Sequence, residues 1–256
     1  MTIIDLSKPI FDNPEDPGFM RIKIKHKPHW LGRILVRVLG LPLKYSGSFV
    51  GWADDTIKKM GVHSTTHIDA PWHYGPEVNG KKALTVDQIP LDDCFADGLV
   101  IDVTDIEEYT QITPEMLKER LKKTETVIKP GNIVLIRTGM DKYSGTKEYW
   151  KRGVGMSREA TLWLIDQGVT IMGIDQWGWD LPFHIQIKKS IASKGSDQFW
   201  QGHLVGREKN YWHMEQLVNL GALPDKGFKV GVFPLKIVNA SAAPARIIAF
   251  LANKNT

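Results

Sequence analysis

Apolar and polar positions alternate with short periods along most of this chain. The runs Thr2–Leu6, Gly98–Val103, Asn132–Gly139, Val169–Asp175, Val230–Ile237 and Ala245–Ala252 are rich in Val, Ile and Phe and are bordered mostly by Gly, Pro, Asp or Asn, which predicts β-strands. Further strands are predicted over Phe49–Trp52 and Val62–Ala70. Two segments carry helix start signals instead. Thr113-Pro114-Glu115 opens MLKERLKK, and Ser157 with Glu159 opens ATLWLIDQ ahead of Gly168, so helices are predicted over 114–123 and 158–167. Each precedes a β-branched run, at 132–138 and 169–174. The pattern is therefore mixed α/β, with two αβ units inside a longer series of strands. No internal repeat or Ser/Gly linker marks a boundary, and a single domain over 1–256 is expected.

The segment between residues 10 and 55 has its own character. Arg21, Lys23, Lys25 and Lys27 alternate with apolar or neutral residues in RIKIKHK, which reads as a strand with one wet basic face. Trp30, Leu31, Ile34, Leu35, Val38 and Leu39 then recur at helical spacing with Arg33 and Arg37 opposite. That predicts an amphipathic helix, read as core or subunit packing ahead of a membrane-surface or lid role.

Composition narrows the function classes. At 256 residues, 42% hydrophobic and 24% charged, the chain can bury a core without staples, and disordered or fibrous classes fail. The single Cys94 has no intrachain partner, and the opening MTIIDLSKPIF lacks the basic and apolar regions of a secretion signal. A cytoplasmic location is expected. The greasiest stretch, LGRILVRVLGLPL, carries Arg33 and Arg37, so no membrane span is expected. Net charge is +4 with pI near 9.0. Without a zinc-knuckle, RNP or helix-turn-helix signature the basic face reads as solvated, and no nucleic-acid partner is expected.

Candidate chemistry concentrates in HSTTHIDAPWH, where three of the eight histidines and an aspartate fall within eleven residues. In an extended segment His63, His67 and Asp69 would share one face. Two imidazoles and a carboxylate suit a borderline or hard divalent ion such as Zn²⁺ or Mn²⁺ and leave coordination positions open. A helical H-E-x-x-H reading fails because Ser64-Thr65-Thr66 supplies two β-branched residues and no Glu, and Pro71 follows. Pro71 bends the chain, so His73 can sit beside the metal as general acid/base.

The stretch His63-Ser64-Thr65-Thr66-His67-Ile68-Asp69-Ala70-Pro71-Trp72-His73-Tyr74 resembles the signature H-x-G-T-H-x-D-x-P-x-H-[FY] of the cyclase family of metal-dependent hydrolases, which includes bacterial kynurenine formamidases and isatin hydrolases. Thr65 stands where Gly is common. The resemblance extends to Ile4–Ile10, to Gly173-Ile174-Asp175 and to the late His203 and Glu215. It implies a swivelling β/β/α fold and a homodimer or homotetramer in which loops of one subunit can close the site of another. It implies that His63, His67 and Asp69 bind metal, that His73 is the catalytic acid/base, and that His203 and Glu215 complete a second metal position in binuclear members. One or two ions are therefore open, and His213, on the same strand face as Glu215, competes as a ligand.

The reaction these features predict is opening of a small-molecule amide or ester, such as an isatin-like lactam, a lactone or an N-formyl amide, by metal-bound hydroxide with His73 as acid/base. A polyketide-type cyclase without net hydrolysis is the alternative the family allows. No G-x-S-x-G elbow or phosphate loop is present, so covalent and nucleotide chemistry rank low. Phe49 and Trp52 are candidate walls for a ring, and Arg207 a candidate carboxylate or oxyanion partner.

Overall fold

A computed structural model describes residues 1–195 and 198–252. In chain order the strands are β1 (Thr2–Asp5), β2 (Lys23–Lys27), β3 (Asp54–Lys59), β4 (His67–Asp69), β5 (Glu77–Val78), β6 (Lys81–Lys82), β7 (Phe95–Asp102), β8 (Gln111–Ile112), β9 (Ile133–Arg137), β10 (Gly155–Met156), β11 (Ile171–Ile174), β12 (Trp212–Glu215), β13 (Phe228–Pro234) and β14 (Ala242–Leu251). The helices are α1 (His29–Val38), α2 (Pro71–Tyr74), α3 (Pro114–Lys123), α4 (Arg158–Asp166), α5 (Phe183–Ser193) and α6 (Gln201–Leu204).

Eight strands form one sheet in the order β1-β14-β13-β7-β9-β11-β12-β4. Strand β4 also pairs with β14, so the sheet closes on itself into a barrel-like core with β1 as a flange. The β7-β9-β11-β12 portion is parallel, fed by the two αβ units, and the rest is antiparallel. One apolar cluster inside the closed sheet includes Ile68, Ile133, Leu135, Met214 and Val232. A second, with Ile101, Val134, Leu117 and Leu164, packs α3 and α4 on the outer face. Strands buried on both faces read as continuous apolar runs, which is why VLI in β9 and IMGI in β11 are legible.

The two predicted helices form as expected. Thr113 and Ser157 accept from the amides of Met116 and Ala160, each satisfying an amide that the first turn leaves free. Gly168, at φ 85°, ends the second helix.

Two predicted strands differ. Phe49–Trp52 is irregular, because Gly51 sits at φ 103° and a side chain there would strike the carbonyl oxygen of His29. Of Val62–Ala70 only His67–Asp69 is strand. The Ser64 hydroxyl accepts from the Gly61 amide and the Thr66 hydroxyl donates to the Gln216 carbonyl, so local side-chain bonds take the backbone out of the ladder. Pro71 then starts α2.

Strands β2 and β3 pair only with each other, and with α1 they make an arm. The arm's helix is amphipathic as predicted, but it is not core: only Gly32 is buried, against Trp52, while Trp30, Ile34, Leu35, Val38 and Leu39 face outward. Residues 21–59 hold nine Lys or Arg against two Asp, a net +7 that leaves the rest of the chain at −3.

Candidate metal centre

Cross-strand register builds the site. Strand β4 lies between β12 and β14, and it sets His213 opposite Asp69 and Glu215 opposite His67. Directly paired residues on one face are close enough for side chains to meet. His63 reaches the same point from the turn before β4, and His73 from α2, one helical turn after Asp69.

Asp69 is the hub. Its Oδ1 lies 3.1 Å from His63 Nε2 and 3.2 Å from His67 Nε2. Its Oδ2 lies 3.1 Å from His213 Nε2, 3.8 Å from His73 Nε2 and 3.9 Å from His203 Nε2. Glu215 adds Oε1 at 3.2 Å from His213 and 3.5 Å from His203, with Oε2 at 3.6 Å from His67. The structure thus brings His63, His67, Asp69, His73, His203 and Glu215 together. His63, His67 and Asp69 meet without sharing a strand.

Burial opposes the charged forms of Asp69, His213 and His73. It would raise Asp69, yet His73, His67 and His63 hold that carboxyl well below its usual range. Burial would lower His213, but the neighbouring carboxylates of Asp69 and Glu215, at 3.1 and 3.2 Å, raise it to about 9. At His73 burial prevails and lowers the imidazole to about 4, so its lone pair is free at neutral pH.

His63 Nε2, His67 Nε2 and both Asp69 oxygens are buried without a hydrogen-bond partner. Leaving such groups unpaired costs about 1–3 kcal/mol each. Their lone pairs converge, and the nitrogen and carboxylate set suits a divalent cation. Two overlapping groups, Asp69 with His203, His213 and Glu215, and Asp69 with His63 and His73, each bring their ligand atoms within 4.8 Å of one another. The donors fit a divalent metal.

Three features were not read from sequence. Asp180 accepts from His203 Nδ1 at 2.5 Å and from the amides of Gly202 and His203, which turns His203 Nε2 toward Asp69 in the arrangement typical of ligating histidines. His213 is stacked between Trp179 and Tyr74. Trp200 stacks on His203 at 4.5 Å. A cavity of about 270 Å³ opens above the cluster. His63, His73, His203 and Glu215 form its polar end, and Phe19, Met20, Trp177, Leu181, Phe183 and Trp200 form its walls. Among the described residues no Lys or Arg lines it.

The three predicted substrate contacts lie elsewhere. Phe49 and Trp52 face each other at 5.9 Å in the arm, and Trp52 backs onto Gly32. They precede the signature in sequence, but the arm leads the chain away before it returns. Arg207 follows His203 through a 3-10 turn, packs its stem over Gly75 and lines a separate polar cleft with Arg158 and Glu208. Within one subunit none of the three lines the cavity.

The chain belongs to the Cyclase family, whose model matches residues 4–181. It is 25% identical over 224 residues to the isatin hydrolase of Roseibium aggregatum, covering 80% of this chain and 76% of that protein. A crystal structure of an isatin hydrolase bound to the product analogue thioisatinate superposes with a TM-score of 0.72 at 21% identity, over 98% of this chain and 92% of the other. A structure described as a potential metal-dependent hydrolase with cyclase activity gives 0.62 at 20% identity, over 98% of each chain. The fold is the one these proteins share.

Proposed function

We propose that this protein is a metal-dependent hydrolase that opens a small neutral amide or ester ring, an isatin-like lactam or a lactone. The observation that carries this reading is the convergence of unpaired buried donors from His63, His67 and Asp69 beneath an apolar cavity. The relatives described as hydrolases support it. His63, His67 and Asp69 would hold the ion, with His203, His213 and Glu215 available to a second. When bound, a divalent ion such as Zn²⁺ or Mn²⁺ acidifies water and polarises a carbonyl oxygen.

The chain's own residues supply the rest. Neutral His73, at the cavity edge and 4.2 Å from the His63 ring, accepts the proton of the attacking water and returns it to the leaving nitrogen or oxygen. Trp177, Phe183 and Trp200 flank a flat ring and limit water entry. With no Lys or Arg on the walls, a neutral lactam or lactone fits better than an N-formyl amino acid, whose carboxylate would be desolvated without a partner. The test is turnover of isatin, a dienelactone and N-formylkynurenine with Zn²⁺, with Mn²⁺ and with chelator. Chelator-sensitive opening of a ring substrate, with solvent ¹⁸O in the product, is expected. Metal-dependent ring closure without ¹⁸O would favour the cyclase alternative instead.

The arm supports a homo-oligomer. Its outward apolar helix face and +7 charge complement a body of opposite sign, so a second copy is the proposed occupant. Light scattering should report a dimer or tetramer that Leu35→Glu with Val38→Glu converts to a smaller species. A wild-type monomer would exclude this, and one that pellets with anionic vesicles would assign the arm to a bilayer surface.

A further inference from the structure

Strand pairing fixes His67 and Asp69, but His63 lies in the turn before β4 and outside the ladder. Gln216, immediately after Glu215, is fully buried and adopts φ 59°, a left-handed conformation unusual for this residue type. Every polar group it carries is used. Its amide N–H donates to the Gln176 carbonyl, and its carbonyl accepts from the Thr66 hydroxyl at 2.6 Å. Its side-chain Nε2 donates to the His63 carbonyl at 2.8 Å, and its Oε1 accepts from Lys8 Nζ at 2.8 Å. Lys8 is itself held over the Tyr149 ring, 4.7 Å from its centroid.

The two side-chain bonds define each other. An ammonium only donates and a carbonyl only accepts, so Lys8 fixes the amide oxygen on its own side and turns the NH₂ toward His63. A carboxylate would suit Lys8 but would set two acceptors face to face at His63. An apolar side chain would serve neither. The positive φ aims this side chain across the gap between the Glu215 strand and the His63 turn, and the Thr66 bond ties the same turn from below.

We propose that Gln216, oriented by Lys8, is a positioning residue that holds the His63 turn against the Glu215 strand and sets the spacing of the metal donors. This rests on the reading of His63 as a ligand, because Gln216 acts through the backbone of that residue.

The test measures affinity of the metal-stripped, full-length protein for Zn²⁺ and Mn²⁺ by competition with a chelating dye, beside thermal melting of the same metal-free samples. Gln216→Glu, which keeps the Lys8 contact and removes the donor to His63, should weaken metal binding about ten- to a hundredfold, the usual effect of removing a group that orients a ligand. Lys8→Met, which leaves the donor but frees the amide to turn over, should weaken it less. Metal affinity within about threefold of wild type in Gln216→Glu, whatever the melting temperature, overturns the proposal. Should that variant not be recovered folded, Lys8→Met decides alone: wild-type affinity overturns and a clear loss supports. His63→Ala separates the two levels. If it binds metal as wild type does, the proposed ligand set fails; if it loses metal while Gln216→Glu does not, only the positioning role fails.

Discussion

Asp69→Asn will leave the purified protein with almost no bound divalent metal and will lower turnover by at least about a thousandfold, or roughly 4 kcal/mol of transition-state stabilisation. The substitution preserves shape, so the effect isolates charge and lone pairs. Asp69 is fully buried and offers one oxygen to His63 and His67 and the other to His213, His73 and His203. An amide replaces one acceptor with an NH₂ group and removes the negative charge that makes a buried cluster of imidazoles attractive to a cation. Elemental analysis beside circular dichroism checks this. A folded variant with wild-type metal content would remove Asp69 as the hub.

His73→Gln should keep its metal and lose about a hundred- to ten-thousandfold in kcat, the range for a positioned proton-transfer group. Glutamine fills a similar volume and can still hydrogen-bond, but it takes no proton near neutral pH. His73 lies 3.8 Å from Asp69 Oδ2, farther than His63, His67 and His213 from the same carboxylate. It also lines the substrate cavity, and its ring stands 5.2 Å from Trp200. Loss should therefore fall on kcat with KM little changed, because the proton moves only in the reacting state. Loss of metal from this variant would make His73 a ligand, and undiminished turnover would end its catalytic role.

Much of the frame is legible because its signals are local. Thr113-Pro114 and Ser157 cap helices within a few residues of themselves, and buried strands announce themselves by composition. The first metal donors are legible because His63, His67 and Asp69 span seven residues. The reason inferred for their convergence was incomplete: alternation holds for His67 and Asp69, while His63 arrives through a turn stabilised by Ser64, Thr66 and Gln216. His203 and Glu215 were recognisable only through the family resemblance, since nothing nearby distinguishes them. Asp180 and Gln216 act through partners 23 and 153 positions away, and no local pattern encodes such a pairing. Phe49 and Trp52 lie in the arm, away from the cavity of their own subunit, because closeness to a motif along the chain is not closeness in space.

Barrel closure has a consequence for biosynthesis. The strand that carries His67 and Asp69 is three residues long and is held by residues 213–215 on one side and 242–244 on the other. A nascent chain therefore displays its histidine-rich segment long before either neighbour has been translated, and contacts of such high sequence separation are slow to form. A chain released before Ala242 therefore contains every donor residue and the β12 partner that aligns them, and still lacks the β14 strand that closes the barrel on the other side.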